Sequence, residues 1–338
     1  MNVYVLNTMG IGLDTISLLK KQVVISGVIG LSKDVKKDTI SDYVYQEEFC
    51  NEHDIDFIPV NTYSLSSEKD KNKIESLEID VLIVSGWQRL IPQWFISHVK
   101  ICVIGAHGSP LGITKGRGRS PQNWALILGF KEFYISIFKI DSGIDSGVVI
   151  DTKKFLYNDF DDIKTSYYKV SILTSQMIID FLKKEDFQKI KLEKQDDEEA
   201  EYFPQRKAED GKIDWNRTNQ QIQRFVKALT KPYPGADAHI DNTIVKIWSL
   251  IPFDIDISLS LEIGEIVKIF NTGDILVKTK ESYVLIDDYQ ILSNTLELKE
   301  GMIFSSGSFV NQIETIIDRH ETKYPNLPIS KELKCLKN

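Results

Sequence analysis

The sequence predicts an α/β protein: a Rossmann-like parallel sheet followed by a small C-terminal antiparallel β-barrel of OB-like type. Two patterns and one change of composition carry this. Over the first 160 residues, short β-branched runs alternate with amphipathic segments, the signature of a parallel sheet covered on both faces. Beyond residue 230, short strands follow one another with turn residues between them, as in a small barrel. Between the two lies "LEKQDDEEAEYFPQRKAEDGKIDWN" (192–216), which is polar, acidic and turn-rich and reads as a linker.

In chain order, "NVYVLN" reads as a strand, "GLDTISLLKK" as a helix and "VVISGVIG" as a second strand. "YVYQEEFCNEHD" (43–54) reads as a helix, "IDFIPV" as a strand, "EKDKNKIESLE" as a helix, and "DVLIVSG" and "VKICVIG" as buried strands. "SPQNWALILG" follows as a helix, then "FYISIFKI" and "GVVIDTKKFL" as a strand pair around "DSGIDSG", and a long helix over about 161–184. The second part opens with the helix "TNQQIQRFVKALT". The strands "NTIVKIWSLI", "GEIVKIFN", "DILVKTK" and "YVLIDDY" come next, and the helix "FVNQIETIIDRH" precedes the tail.

Composition narrows the function classes. The chain has 338 residues, 42% hydrophobic and 27% charged, enough for a sizeable core and suggestive of two domains. Its apolar runs are too short to cross a bilayer, and "MNVYVLNTMGIG" reads as a first strand rather than a signal peptide, so no membrane partner is expected. Cys50, Cys102 and Cys335 are scattered, which suits a reducing cytoplasm, and no Cys/His spacing suggests a metal. A net charge of −8 lowers the expectation of a nucleic-acid partner. The glycines of "MGIG", Gly10 among them, resemble a dinucleotide fingerprint but lack its third glycine and read as structural.

The chemistry concentrates in "GAHGSPLGITKGRGRSP" (105–121), which leaves the last parallel strand at its carboxyl end, where such sheets bind ligands. Its Gly and Pro content reads as loop, which places His107 and Ser109 in a loop; an imidazole there suits proton transfer near neutral pH. Arg117 and Arg119 suit an anionic ligand. Asp141 and Asp145 lie in a glycine-rich turn, where Asp serves either backbone N–H groups or a nearby imidazole.

These residues carry a resemblance. "HGS", "RGRSPQNWALILG" and "IDSGIDSG", in this order, resemble the 10-formyltetrahydrofolate-dependent formyltransferase family. "DVLIVSGWQRLIP" resembles its folate-binding loop, and "YFPQRKAEDGKIDWN", "VKALTKPYPGA" and "VKIW" resemble the C-terminal part of its larger members. The resemblance implies a catalytic domain over 1–190, a linker and helix over 191–230, a barrel-like domain over 231–300, and a helix and tail over 301–338.

It also implies His107 and Asp145 as catalytic residues and 10-formyltetrahydrofolate as co-substrate, with no metal. Arg89, Leu90, Ile91, Arg119, Asp141, Ser142, Gly143 and Ile144 would hold the folate. The family's asparagine two residues before the histidine is replaced by Gly105. Asn123, a backbone N–H of the 110–116 loop, or His107 itself is expected to replace that oxyanion donor.

Larger members formylate either Met-tRNA or nucleotide-linked amino sugars. The segment 32–56 is acidic where the tRNA enzymes are basic, and "RGRSPQNW" and "TKPYPGA" resemble the sugar enzymes. The expectation is therefore a UDP- or dTDP-linked 4-amino-4,6-dideoxyhexose, contacted by Gly10, Ser109, Arg117, Arg206, Tyr233 and Pro234, in cell-surface glycan synthesis. A homodimer is left open. The alternatives are a methionyl-tRNA formyltransferase and a non-catalytic folate- or nucleotide-binding relative.

Overall fold

Alternating apolar residues build the first sheet, because successive side chains of a strand point to opposite faces. Val3 and Val5 of β1 (Val3–Leu6), Val81 and Ile83 of β4 (Val81–Val84), and Ile104 of β5 (Cys102–Ser109) pack into one core. Leu6, Leu82 and Val103 of the same strands enter the core on the opposite face. The computed structural model describes residues 1–35, 40, 42–185, 187–190, 192–257, 260–293 and 295–337. It divides into two compact units.

The first unit comprises residues 1–117, 132–156 and 167–200. Its other elements are α1 (Gly10–Leu19), β2 (Gly27–Leu31), α2 (Glu47–Glu52), β3 (Asp56–Val60), α3 (Glu68–Glu75) and α4 (Gln93–His98). Beyond β5 the chain forms the two-residue β6 (Arg117–Gly118), α5 (Pro121–Leu128), β7 (Glu132–Lys139), β8 (Val149–Leu156) and α6 (Ile163–Leu182). The sheet order is β3-β2-β1-β4-β5-β7-β8. The pairs from β3 to β5 are parallel, whereas β7 and β8 are antiparallel to their neighbours. The first core also takes Met177, Ile178 and Phe181 of α6. Ser175 Oγ of that helix donates to Thr15 O of α1 at 3.4 Å.

Two expected elements are shorter in the structure. The helix expected over 43–54 is confined to Glu47–Glu52. Tyr43 bridges Met9, and the Gln46 side chain turns inward to accept from Asn7 Nδ2 at 2.6 Å. The second strand begins only at Gly27, after an exposed Val24.

The second unit comprises residues 118–131, 157–166 and 201–338. It contains α5, the two-residue β9 (Tyr202–Phe203), α7 (Asn219–Leu229) and five strands, β10 (Ala236–Ile240), β11 (Thr243–Phe253), β12 (Ile266–Ile269), β13 (Ile275–Lys278) and β14 (Tyr283–Ile291). Two further helices, α8 (Phe309–Lys323) and α9 (Lys331–Lys334), follow. A reciprocal box between Thr218 and Gln221 starts α7 by satisfying helix-end N–H groups.

The strands form an open antiparallel sheet in the order β10-β11-β14-β13-β12. The expected OB-like closed barrel is not formed among the described residues. Instead, residues 303–305 make single bridges, Ser305 to His239 at one edge and Ile303 to Glu265 at the other. Isolated bridges cap the two edges without a continuous ladder between them. The acidic segment expected as a linker is ordered where described, with short turns over Asp197–Glu199 and Ala208–Gly211.

Candidate active site

The site in the first unit is built on an overhang of β5. Its neighbour β4 ends at Val84, opposite Gly105, so Ala106–Ser109 pair only with β7 on the other side. His107 is therefore on a strand, opposite Ser136, and not in the loop its Gly-rich surroundings suggest. The glycines are there because aromatic side chains of β7 lie over the strand. A Cβ on Gly108 would come within 2.4 Å of Phe133 Cε1.

His107 is clamped from both ends. Nε2 lies 2.7 Å from Gly116 O, and since a carbonyl only accepts, Nε2 carries the hydrogen of that contact. Nδ1 then faces Asp145 Oδ2 at 3.4 Å. A proton on Nδ1 makes the two an ion pair. The His107 side chain is 10% exposed and that of Asp145 22%, so water screens the pair only in part.

Asp145 sits at φ +52°, a left-handed conformation that L-residues adopt sparingly and Asp tolerates better than most. Gly147 closes the same turn against the backbone, with Lys139 O only 1.8 Å from where a Cβ would stand. Asp141 caps the turn, accepting from Gly143 N at 3.0 Å and Ser146 Oγ at 2.7 Å. Ser142 and Gly143 are exposed and Ile144 is half-buried.

The loop before Arg117 is tied to the acidic segment. Arg117 is 2% exposed, and its guanidinium donates to Gln195 Oε1 from Nε at 3.2 Å and from Nη2 at 3.0 Å. Nη2 also reaches Asp197 Oδ1 at 2.8 Å, and Lys115 pairs with Glu199 at 3.0 Å. Gln195 Nε2 donates to Asp145 O at 2.7 Å and Gly147 O at 2.8 Å. Gln195 and the Gly116 carbonyl were missed in the sequence. A glutamine in an acidic run and a backbone oxygen carry no motif.

Several expected contacts have other occupations. Arg117 is a buried anchor of its own loop, not an open anion grip. Ser109 is fully buried and accepts from Leu111 N at 3.1 Å. Gly10 starts α1, its N–H donating to Asp42 O at 3.0 Å, while Asp42 Oδ2 accepts from Ile11 N at 3.0 Å. A carboxylate thus already fills the helix end that a dinucleotide phosphate would take. Arg89 is exposed and lies over the Tyr63 ring at 5.3 Å; Leu90 is exposed and Ile91 buried.

Gly105 is buried among apolar side chains. A Cβ there would come within 2.8 Å of Ile140 and 3.1 Å of Phe138, so the volume of an asparagine is already taken.

Other candidates lie in the second unit. Asn123 is 3% exposed and its amide donates to Ala228 O at 2.7 Å, joining α5 to α7. That buried bond gives Asn123 a structural occupation in place of the expected oxyanion role. Arg119 N donates to Phe203 O at 2.9 Å. The Arg206 guanidinium stands over the Trp124 ring at 4.9 Å, and burial pulls its pKa down to about 10. Tyr233 accepts from Trp248 Nε1 at 3.2 Å through its carbonyl, and Pro234 is exposed. Among the described residues, no group of three His, Cys, Asp or Glu side chains is placed to hold a metal, and no helix is long and apolar enough to cross a membrane.

Residues 19–182 match the model of the formyl transferase family, and residues 206–300 match that of the formyl transferase C-terminal domain. A methionyl-tRNA formyltransferase of Caldanaerobacter subterraneus subsp. tengcongensis is 32% identical over 176 residues, 52% of this chain and 56% of that protein. The chain thus spans little more than half the length of that relative. The crystal structure of HypX from Aquifex aeolicus in complex with tetrahydrofolic acid superposes with a TM-score of 0.61 at 16% identity, over 97% of this chain and 48% of that one.

An N-formyltransferase from Helicobacter canadensis, in complex with folinic acid and dTDP-3-aminofucose, gives a TM-score of 0.58 at 15% identity. It covers 86% of this chain and all of the other. At these identities the structural likeness is one of fold. The chain thus matches both domains of the formyl transferase family, in family order and over most of its length.

Proposed function

We propose that this chain is an N-formyltransferase that moves a formyl group from 10-formyltetrahydrofolate to the amino group of a nucleotide-linked amino sugar. The observation that carries the reading is the His107–Asp145 pair, 3.4 Å apart at the overhanging end of β5. The donor supplies an activated formyl carbon. The chain's part is to take the proton from the attacking amine and deliver one to the leaving nitrogen. When the reacting groups displace the Gly116 carbonyl, the ring proton stands on Nδ1, where Asp145 accepts it and orients the imidazole. Nε2 is then bare, takes the amine proton and returns one to the leaving nitrogen. Arg89, Leu90, Ile91 and residues 141–144 are the folate contacts this reading requires.

The acceptor rests on charge and likeness. A net charge of −8, with an acidic 192–201 segment, opposes a polyanion, and the Helicobacter protein was crystallised with a nucleotide-linked amino sugar. Residues 36–39 and 41 of the other acidic segment, 32–56, lie outside the described residues. A second reading, formylation of Met-tRNA, is favoured by the names of the sequence relatives.

A panel assay with 10-formyltetrahydrofolate, UDP- and dTDP-linked amino sugars and Met-tRNA decides between them, following released tetrahydrofolate. Turnover with one amino sugar and none with tRNA is the expected outcome. Turnover with Met-tRNA alone replaces the first reading with the second. Folate binding without turnover on any acceptor leaves a binding protein.

A further inference from the structure

We propose that Gln195 is the positioning residue of this site, a single amide that holds both arms around His107 in register. The proposal rests on reading the His107–Asp145 pair as the reactive one. One arm, the 114–117 loop, carries the Gly116 carbonyl on Nε2; the other, the 141–147 turn, carries the Asp145 carboxylate facing Nδ1. These arms come from different connections of the sheet. Between them stands Gln195, half-buried in a run whose neighbours Lys194 and Asp196 are exposed.

Its amide is used on both sides. Oε1 accepts from the Arg117 guanidinium and from Thr114 Oγ1 at 3.2 Å, and Nε2 donates to the carbonyls of Asp145 and Gly147. The orientation is decided by chemistry. Flipping the amide would set its oxygen against two carbonyl oxygens and its NH₂ against a guanidinium. Arg117 therefore orients Gln195, and Gln195 holds the carbonyl of the residue whose carboxylate meets His107. The bond from Nε2 to Asp145 O also stabilises that residue in its left-handed conformation.

The arrangement explains a buried arginine. Arg117, 2% exposed, donates to Gln195 and Asp197, which suits an internal brace. Glutamate in place of Gln195 would keep the acceptor for Arg117 but oppose the two carbonyls. Leucine would remove both sets of bonds at similar volume.

The test uses the full chain with Gln195→Leu and Gln195→Glu. Hydrogen exchange is followed in peptides spanning 114–117 and 141–147. Exchange should rise about tenfold or more in both segments, with the remaining sheet amides unchanged and the melting temperature within a few degrees. With the acceptor found in the panel assay, kcat should fall at least tenfold while KM for either substrate stays within about threefold.

In an Asp145→Asn background, Gln195→Leu should cost less than twofold more, because the residue acts through Asp145. Unchanged exchange in the 141–147 turn, or a full multiplicative loss in the double variant, overturns the proposal. If no acceptor supports turnover, the proposed reaction fails while the exchange result still decides the clamp. Should Gln195→Leu not fold, Gln195→Glu alone decides on the same readouts.

Discussion

His107 is held by a carbonyl on one nitrogen and faces a carboxylate with the other, so its ring plane is fixed before any substrate arrives. His107→Ala and Asp145→Asn should each lower kcat by about 10²–10⁴-fold. Binding of 5-formyltetrahydrofolate, measured by calorimetry, should stay within a few-fold of the parent. A loss below about tenfold in either variant would remove that residue from the chemistry.

Gly105 is the second decisive residue. Restoring the family's asparagine as Gly105→Asn should destabilise the chain by about 1–3 kcal/mol, because the new side chain meets Ile140 and Phe138. Denaturant unfolding measures this, and Ile140→Ala in the same chain should recover part of the loss. A neutral Gly105→Asn would mean that Ile140 yields freely.

Among the elements, α3 shows how one buried carboxylate joins a helix to a strand. Asp70 is fully buried and accepts from Asn61 N at 2.7 Å, Thr62 N at 2.9 Å and Thr62 Oγ1 at 2.7 Å, just beyond β3. Burial alone would raise its pKa. The bonds from Asn61, Thr62 and Ser67 outweigh burial and hold the carboxyl below its ordinary 3.8. A depressed folded value means the stabilisation is full above about pH 4 and is lost as pH falls through the folded pKa.

Asp70→Ala, which strands those donors, should cost about 1–3 kcal/mol at pH 7. The loss should shrink in acid. An equal effect at pH 7 and pH 3 would show that the carboxylate's bonds do not stabilise α3.

β5 teaches a different lesson at this scale. Its apolar start was legible as a strand, while "AHGS" reads as loop because glycine and histidine have weak strand propensity. Pairing with β7 overrides that preference, and the glycines are what admit Phe133 and Phe138 over the strand.

Over the whole chain, the thiols report on packing. Cys50 is fully buried and Cys102 is 7% exposed, whereas Cys335 is exposed. Burial pushes the Cys50 and Cys102 thiols up to about 11 from the usual 9.0. For a raised acid the stabilisation is full below pH 9 and is lost as pH rises through about 11. A thiol-reactive disulfide at pH 8 should therefore titrate one cysteine per folded chain and all three in denaturant. Thermal stability should decline between pH 9 and pH 11, less steeply in Cys50→Ala/Cys102→Ala. Reaction of three thiols in the folded chain would contradict the packing of β5 and α2.

The alternation of apolar runs with amphipathic segments was sufficient by itself to determine a layered α/β unit and a following antiparallel sheet, because periods of two and 3.6 are local properties of the chain. His107 and Asp145 are also legible as candidates, through the resemblance of "HGS" and "IDSGIDSG" to a family motif and not through periodicity. What only the tertiary structure decided depends on side chains meeting across long separations. It put the imidazole on a strand overhang and left the second sheet open with bridged edges. It also made Arg117 an internal brace and drew Gln195, 50 positions away, onto the carbonyl of Asp145. No periodicity encodes such contacts; they exist only once the sheet has brought the two loops and the acidic segment to one end of β5.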